Sequence, residues 1–186
     1  MNVIPTELPG VLIVEPIVFA DERGFFLETY RQERYAAAGI PERFVQDNHS
    51  RSLPRTLRGL HYQLTHPQGK LVRCVRGAVF DVAVDIRRGS PTFGRWVGIE
   101  LSEDNKRQVY IPPGFAHGYC APVVLSEIEY KCTDYYHPED DRGVRWNDPT
   151  LGIVWPIAAP RLSARDAAQP PLAPDSLALP QYGVRV

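Results

Sequence analysis

Apolar and polar residues alternate over short stretches through most of the chain, and turn residues interrupt them at close intervals. The clearest case runs from 78 to 86, where Ala78, Phe80, Val82, Val84 and Ile86 share one face of an extended strand. The same reading predicts strands over 11–15, 24–30, 44–50, 57–64, 70–76, 95–101, 107–111, 116–120 and 124–131. Gly-Ser-Pro, Glu-Asp-Asn and Pro-Pro-Gly supply turns between them. Residues 32–38 read as a helix ended by Gly39 and Pro41, and one helical turn is expected near 163–167. Many short strands with few helices mean an all-β sandwich or barrel, and a jelly roll with a ligand cavity between its sheets is the expected form.

A chain of 186 residues suits one domain with a real core, and 44% hydrophobic with 23% charged residues is ordinary globular composition. The Pro-rich stretch from 168 to 180 is the one segment whose composition suggests disorder. A net charge of −1 gives no global basic field, so nucleic acid is not an expected partner. Of 21 basic residues only Lys70, Lys106 and Lys131 are lysines. Genomic base composition explains such a skew as well as phosphate recognition by arginine does, but it makes an interior lysine stand out. Cys74, Cys120 and Cys132 follow neither a CxxC nor a zinc spacing and read as reduced core residues of a cytoplasmic protein. The segment MNVIPTELPG lacks the character of a secretory signal, and no apolar run reaches membrane-spanning length.

Chemistry concentrates in a few places. On a regular strand His61 would share a face with Leu57, Gly59 and Gln63, the glycine leaving open space around the ring. Lys70 would share a face with Val72 and Cys74, an expensive place for an ammonium without a task. Val124, Ser126, Ile128 and Tyr130 line one strand face, which turns the Tyr130 hydroxyl inward. Asp166 sits on a short element from which a carboxylate can reach a histidine. Pro112, Gly114 and His117 give the PxGxxH spacing of the second metal motif of cupin jelly rolls. The partner motif reads His61-Tyr62-Gln63, however, with no suitable glutamate before Lys70. One or two histidines beside a lysine do not hold a transition metal, so no metal and no cofactor is expected.

These residues stand in a longer series: DERGFF at 21–26, FVQDNHS at 44–50, LRGLHY at 57–62, GKLVRC at 69–74, VFDVAVDIR at 79–87, SPTFG at 90–94, IPPGFAHG at 111–118, YKCTDYY at 130–136 and WND at 146–148. In this order and at these separations the chain resembles the dTDP-4-dehydrorhamnose 3,5-epimerase family. The resemblance implies a single jelly-roll epimerase domain over 1–186, with N-terminal strands in about 1–50 exchanged across a homodimer and a Pro-rich tail over 168–186. It implies inversion of C3 and C5 of dTDP-4-dehydro-6-deoxy-D-glucose to give dTDP-4-dehydro-L-rhamnose, with inversion of one centre in an antibiotic-sugar pathway as the alternative.

By the same resemblance His61 is the catalytic base held by Asp166, Lys70 stabilises the enolate oxygen, and Tyr130 is the acid on the opposite face. Arg23, Glu28, Gln46, Asp47, Asn48, Arg58, His117, Asp141 and Arg165 match positions that contact or shape the nucleotide-sugar site, Arg23 and Glu28 reaching into the partner's. Phe26, Tyr136 and Tyr62 are the candidates to stack on thymine. The chemistry fits the residue types: a base of near-neutral pKa, a positive group at the developing enolate, and a neutral phenol across the ring.

Overall fold

The computed structural model describes residues 1–41 and 43–183. Thirteen strands and two short helices are found among them: β1 (Asn2–Pro5), β2 (Leu12–Glu15), β3 (Val18–Asp21), β4 (Gly24–Leu27), α1 (Gln32–Ala37), β5 (Gln46–Ser52), β6 (Thr56–Gln63), β7 (Lys70–Arg76), β8 (Ala78–Asp85), β9 (Trp96–Ser102), β10 (Gln108–Ile111), β11 (Phe115–Ala121), β12 (Ser126–Cys132), β13 (Asp141–Gly143) and α2 (Ala164–Ala167). Six strands form one sheet in the order β1-β2-β10-β7-β12-β5, and five form a second in the order β13-β6-β11-β8-β9. All pairings between these strands are antiparallel. This is the jelly-roll sandwich expected from the alternation.

The space between the sheets is filled from both sides. Val72, Cys74, Val109, Ile111 and Ile128 of the six-stranded sheet meet Val79, Ala83, Ile99, Leu101, Phe115 and Tyr119 of the five-stranded one. Strand β8 is buried on both faces: its even positions Val82 and Val84, continued by Ile86, belong to a second cluster behind the five-stranded sheet. The cover there is the C-terminal segment of the chain after β13, through Val144, Leu151, Trp155, Leu172 and Leu179. The stretch 168–180 is therefore not disordered. Leu172 and Leu179 are buried, the Tyr62 hydroxyl donates to the Ala178 carbonyl at 3.0 Å, and Arg88 N–H donates to Pro180 O at 2.8 Å. Proline-rich sequence disfavours regular elements, yet widely spaced leucines still anchor it by burial, each worth about 1.5–3 kcal/mol. Residues 184–186 of the expected tail lie outside the described residues.

On the outer face of the six-stranded sheet, α1 lays Tyr35 over Val14, Leu71 and Tyr110. Strands β3 and β4 form a separate hairpin. Asp21 closes its turn by accepting from Arg23 N–H at 2.9 Å, and Phe19, Phe25 and Phe26 stand largely exposed on it. The three cysteines are buried and unpaired. Among the described residues no helix is long and apolar enough to cross a membrane.

Candidate active site

A cavity of about 430 Å³ opens between the two sheets. Gln46, Asn48 and Ser50 of β5, Lys70 of β7 and Tyr130 of β12 line it from the six-stranded sheet. Arg58, His61 and Gln63 of β6, His117 and Tyr119 of β11 and Asp141 of β13 line it from the other. Ser163, Arg165 and Tyr136 close its rim, and the buried Asp166 lines it beside His61.

The way β6 delivers its side chains departs from simple alternation. His61 lies opposite His117, but Arg58 lies opposite Tyr119, so β6 carries one residue more than β11 across this step. The extra residue reverses the parity. Leu57, Leu60 and Tyr62 face the rear cluster, while Arg58, His61 and Gln63 face the cavity. His61 thus does not share a face with Leu57. Nor does Gly59 make room for the ring: it has φ +112°, and a Cβ there would stand 2.6 Å from Gly118 Cα. Its lack of a side chain lets β6 and β11 approach.

Helix α2 supplies the partner of His61. Ser163 caps it, its hydroxyl accepting from Asp166 N–H at 3.0 Å and donating to Asp166 Oδ2 at 2.9 Å. The other carboxylate oxygen is 2.5 Å from His61 Nε2. Burial alone would raise the Asp166 pKa, but hydrogen bonds from His61, Ser163 and the Gly59 backbone, together with the His61 charge, hold it below the ordinary carboxylate range. An ionised Asp166 fixes the hydrogen on Nε2 and leaves Nδ1 as the lone-pair nitrogen.

Lys70 opens β7, across from Ile111 and Cys132. Burial pushes its pKa below the usual lysine value, and the charges of Cys132, Asp141 and Asp81 pull the other way. Tyr130 packs against the intersheet core. Burial raises its phenol to about 12, reinforced by Cys132 and Tyr119, so at neutral pH it is a proton donor. Behind these groups His117 Nε2 contacts both oxygens of the buried Asp81 at 3.0 and 2.9 Å. The Tyr119 hydroxyl joins Ser50 and Ser52 at 2.8 and 3.0 Å, and Arg58 Nε donates to Ser52 Oγ at 3.0 Å. At the rim Asp141 Oδ2 accepts from Arg165 at 2.5 Å and from the Tyr136 hydroxyl at 2.9 Å. That hydrogen bond raises the Tyr136 pKa and, with its charge, keeps Arg165 firmly protonated. Gln46 Oε1 accepts from Tyr136 N–H at 2.9 Å, and its amide donates to Asn48 Oδ1 at 3.1 Å.

Twelve of the sixteen residues singled out from sequence line the cavity: His61, Lys70, Tyr130, Asp166, Gln46, Asn48, Arg58, Tyr62, His117, Tyr136, Asp141 and Arg165. Four do not. Asp47 points to the opposite side of β5, where Lys131 Nζ donates to it at 2.9 Å, because it stands at odd parity between Gln46 and Asn48. Arg23 and Phe26 lie on the β3–β4 hairpin, Arg23 paired with Asp21 at 2.6 Å. Glu28 follows that hairpin and pairs with Arg34 at 2.8 Å. Tyr62 lines the cavity but spends its hydroxyl on Ala178 within the rear cluster. Sequence reasoning missed Ser50 and Tyr119, which lie two residues along the same strand faces from Asn48 and His117, and Gln68. The two cavity imidazoles are each engaged by a carboxylate. Among the described residues the His, Cys or carboxylate group able to share an ion is His66, Asp134 and His137, none of them in the cavity lining.

The model of the dTDP-4-dehydrorhamnose 3,5-epimerase family matches residues 5–174. The dTDP-4-dehydrorhamnose 3,5-epimerase of Shigella flexneri is 56% identical over 168 residues, 89% of this chain and 93% of that one. The protein of the same name from Pseudomonas aeruginosa is 57% identical over 161 residues, 86% of this chain and 89% of that one. Among solved structures, the dTDP-6-deoxy-D-glucose-3,5-epimerase of Legionella pneumophila in complex with dTDP-4-keto-L-rhamnose matches with a TM-score of 0.95 at 52% identity. The match covers 98% of this chain and 99% of that one.

Proposed function

The chain belongs to the dTDP-4-dehydrorhamnose 3,5-epimerase family, and from that premise we propose that it inverts C3 and C5 of dTDP-4-dehydro-6-deoxy-D-glucose to give dTDP-4-dehydro-L-rhamnose. His61 takes the proton beside the C4 ketone through Nδ1. Asp166 balances the imidazolium that forms, and Lys70 meets the charge that moves onto the ketone oxygen. Tyr130 returns a proton from the far side of the ring, so the centre inverts. The observation that carries this reading is that His61 and Tyr130 line one cavity from opposing sheets. Groups on opposing walls can address the two faces of a sugar ring held between them, which inversion requires.

Each step has a physical basis. A positioned imidazole base contributes about 10²–10⁴-fold. An ammonium in a water-poor cavity acts on the enolate far more strongly than in bulk water. Asp166 serves the imidazolium as the acid does in a hydrolytic triad. Arg58 and Arg165 offer forked donors to the diphosphate, and Tyr136 at the rim is the stacking surface for thymine.

A homodimer is part of the same proposal. The exposed apolar side chains of Phe19, Phe25 and Phe26 suit burial against a second copy, which would carry Arg23, Phe26 and Glu28 to the partner's cavity. Three buried free thiols fit a reducing compartment, the cytoplasm.

The test is incubation with dTDP-4-dehydro-6-deoxy-D-glucose in heavy water, then hydride reduction and sugar analysis. Two deuterium atoms per product and recovery of L-rhamnose are expected. Uptake of one atom, or none, would overturn the double inversion.

A further inference from the structure

We propose that His66, Asp134 and His137 form a binding site for a divalent transition-metal ion beside the cavity. His66 lies on the loop after β6, and the others lie on the loop between β12 and β13. The imidazole rings stack with centroids 3.9 Å apart and planes 15° from parallel. His66 Nδ1 is 3.6 Å from Asp134 Oδ2, and His137 Nδ1 is 3.4 Å from Glu139 Oε1. One ligand atom from each of His66, Asp134 and His137 falls within 4.8 Å of the others.

The backbone under this group is fixed by buried side chains. Gln63 donates to His66 O at 2.6 Å and accepts from His137 N–H at 2.8 Å, so one amide staples both histidine main chains. Asp140 accepts from Thr65 N–H and His66 N–H, each at 2.8 Å. Gln68 donates to Asp134 O at 2.8 Å. The loops are thus held together while the ligating side chains stay partly exposed.

Two imidazoles and a carboxylate suit zinc, nickel or copper rather than magnesium or calcium. Tetrahedral zinc with bonds of about 2.0–2.1 Å holds neighbouring ligand atoms about 3.3 Å apart. Binding therefore requires one ring to leave the stack and the side chains to close around the ion, which rotation about side-chain bonds supplies. The histidines of the cavity are not alternatives, since Asp166 and Asp81 already engage them.

The experiment is equilibrium dialysis of the untagged full chain against Zn²⁺, with Co²⁺ absorption as a second reading of ligand geometry. One equivalent is expected, with a tetrahedral Co²⁺ spectrum. His66→Gln and His137→Gln should each weaken binding by about 10-fold or more, and His49→Gln, remote from the group, should not. Melting curves without metal confirm that the variants fold. Zinc should raise the melting temperature of the wild type and not of the double variant. No uptake by the wild type, or undiminished uptake by His66→Gln and His137→Gln, would overturn the site.

Discussion

Replacing Asp166 by asparagine keeps volume and cap geometry but removes the charge that faces His61. At an effective dielectric of 20, unit charges with centres about 4 Å apart interact by about 4 kcal/mol. That value is a ceiling, because 30% of the His61 side chain meets solvent. A loss of roughly 2–4 kcal/mol in stabilising the imidazolium means a kcat lower by about 30- to 1000-fold. The amide can also turn its N–H toward Nε2, which would favour the wrong tautomer and deepen the loss. The assay is the rate of deuterium entry into substrate in heavy water, alongside calorimetric binding of dTDP. Asp166 is buried behind the ring, so dTDP affinity should hardly change. Stability carries a second signature. The depressed carboxyl adds stability that is complete above its ordinary value of 3.8 and is lost as the pH falls through the lower folded value. The variant should therefore melt with a weaker pH dependence in that acid range. Wild-type exchange in Asp166→Asn, or a loss of dTDP binding as large as the loss in rate, would refute the reasoning.

Tyr130→Phe should slow inverted product by about 10²–10⁴-fold while deuterium still enters from the His61 side, which mass spectrometry of unconverted substrate would show. Gly59→Ala should abolish activity and lower the melting temperature sharply, since the new Cβ would meet backbone at 2.6 Å in a positive-φ conformation. Leu172→Ala should destabilise the protein by about 2–5 kcal/mol in urea unfolding, although it lies outside the cavity lining.

The alternation made most of the two sheets legible. The bounds expected for β7 match those observed, and the inward turn of Tyr130 was readable because β12 alternates regularly. Where alternation breaks, sequence reading breaks with it. The extra residue in β6 moves His61 off the Leu57 face, and only the strand pairing reveals it. Asp47 shows the reverse: simple parity in QDNHS already turns it away from Gln46 and Asn48, whereas the motif grouped all three. Strand β3 is exposed at every position and β13 spans three residues with no apolar side chain, so neither offers a burial pattern to read. The segment around Leu172 and Leu179 has no periodicity because it packs without regular structure. For the turn at α2 the sequence carries a local signal in Ser163, which caps it by accepting from Asp166 N–H.

The rear covering of the five-stranded sheet has a consequence for synthesis. Residues 144–179 emerge from the ribosome after every strand they shield, and Asp166 emerges among them. Until then the nascent sheet shows water a greasy back, and His61 has no carboxylate beside it. A transcript cut short before this region would yield not a feeble catalyst but a sticky sandwich bare on one side, fit for chaperone or protease.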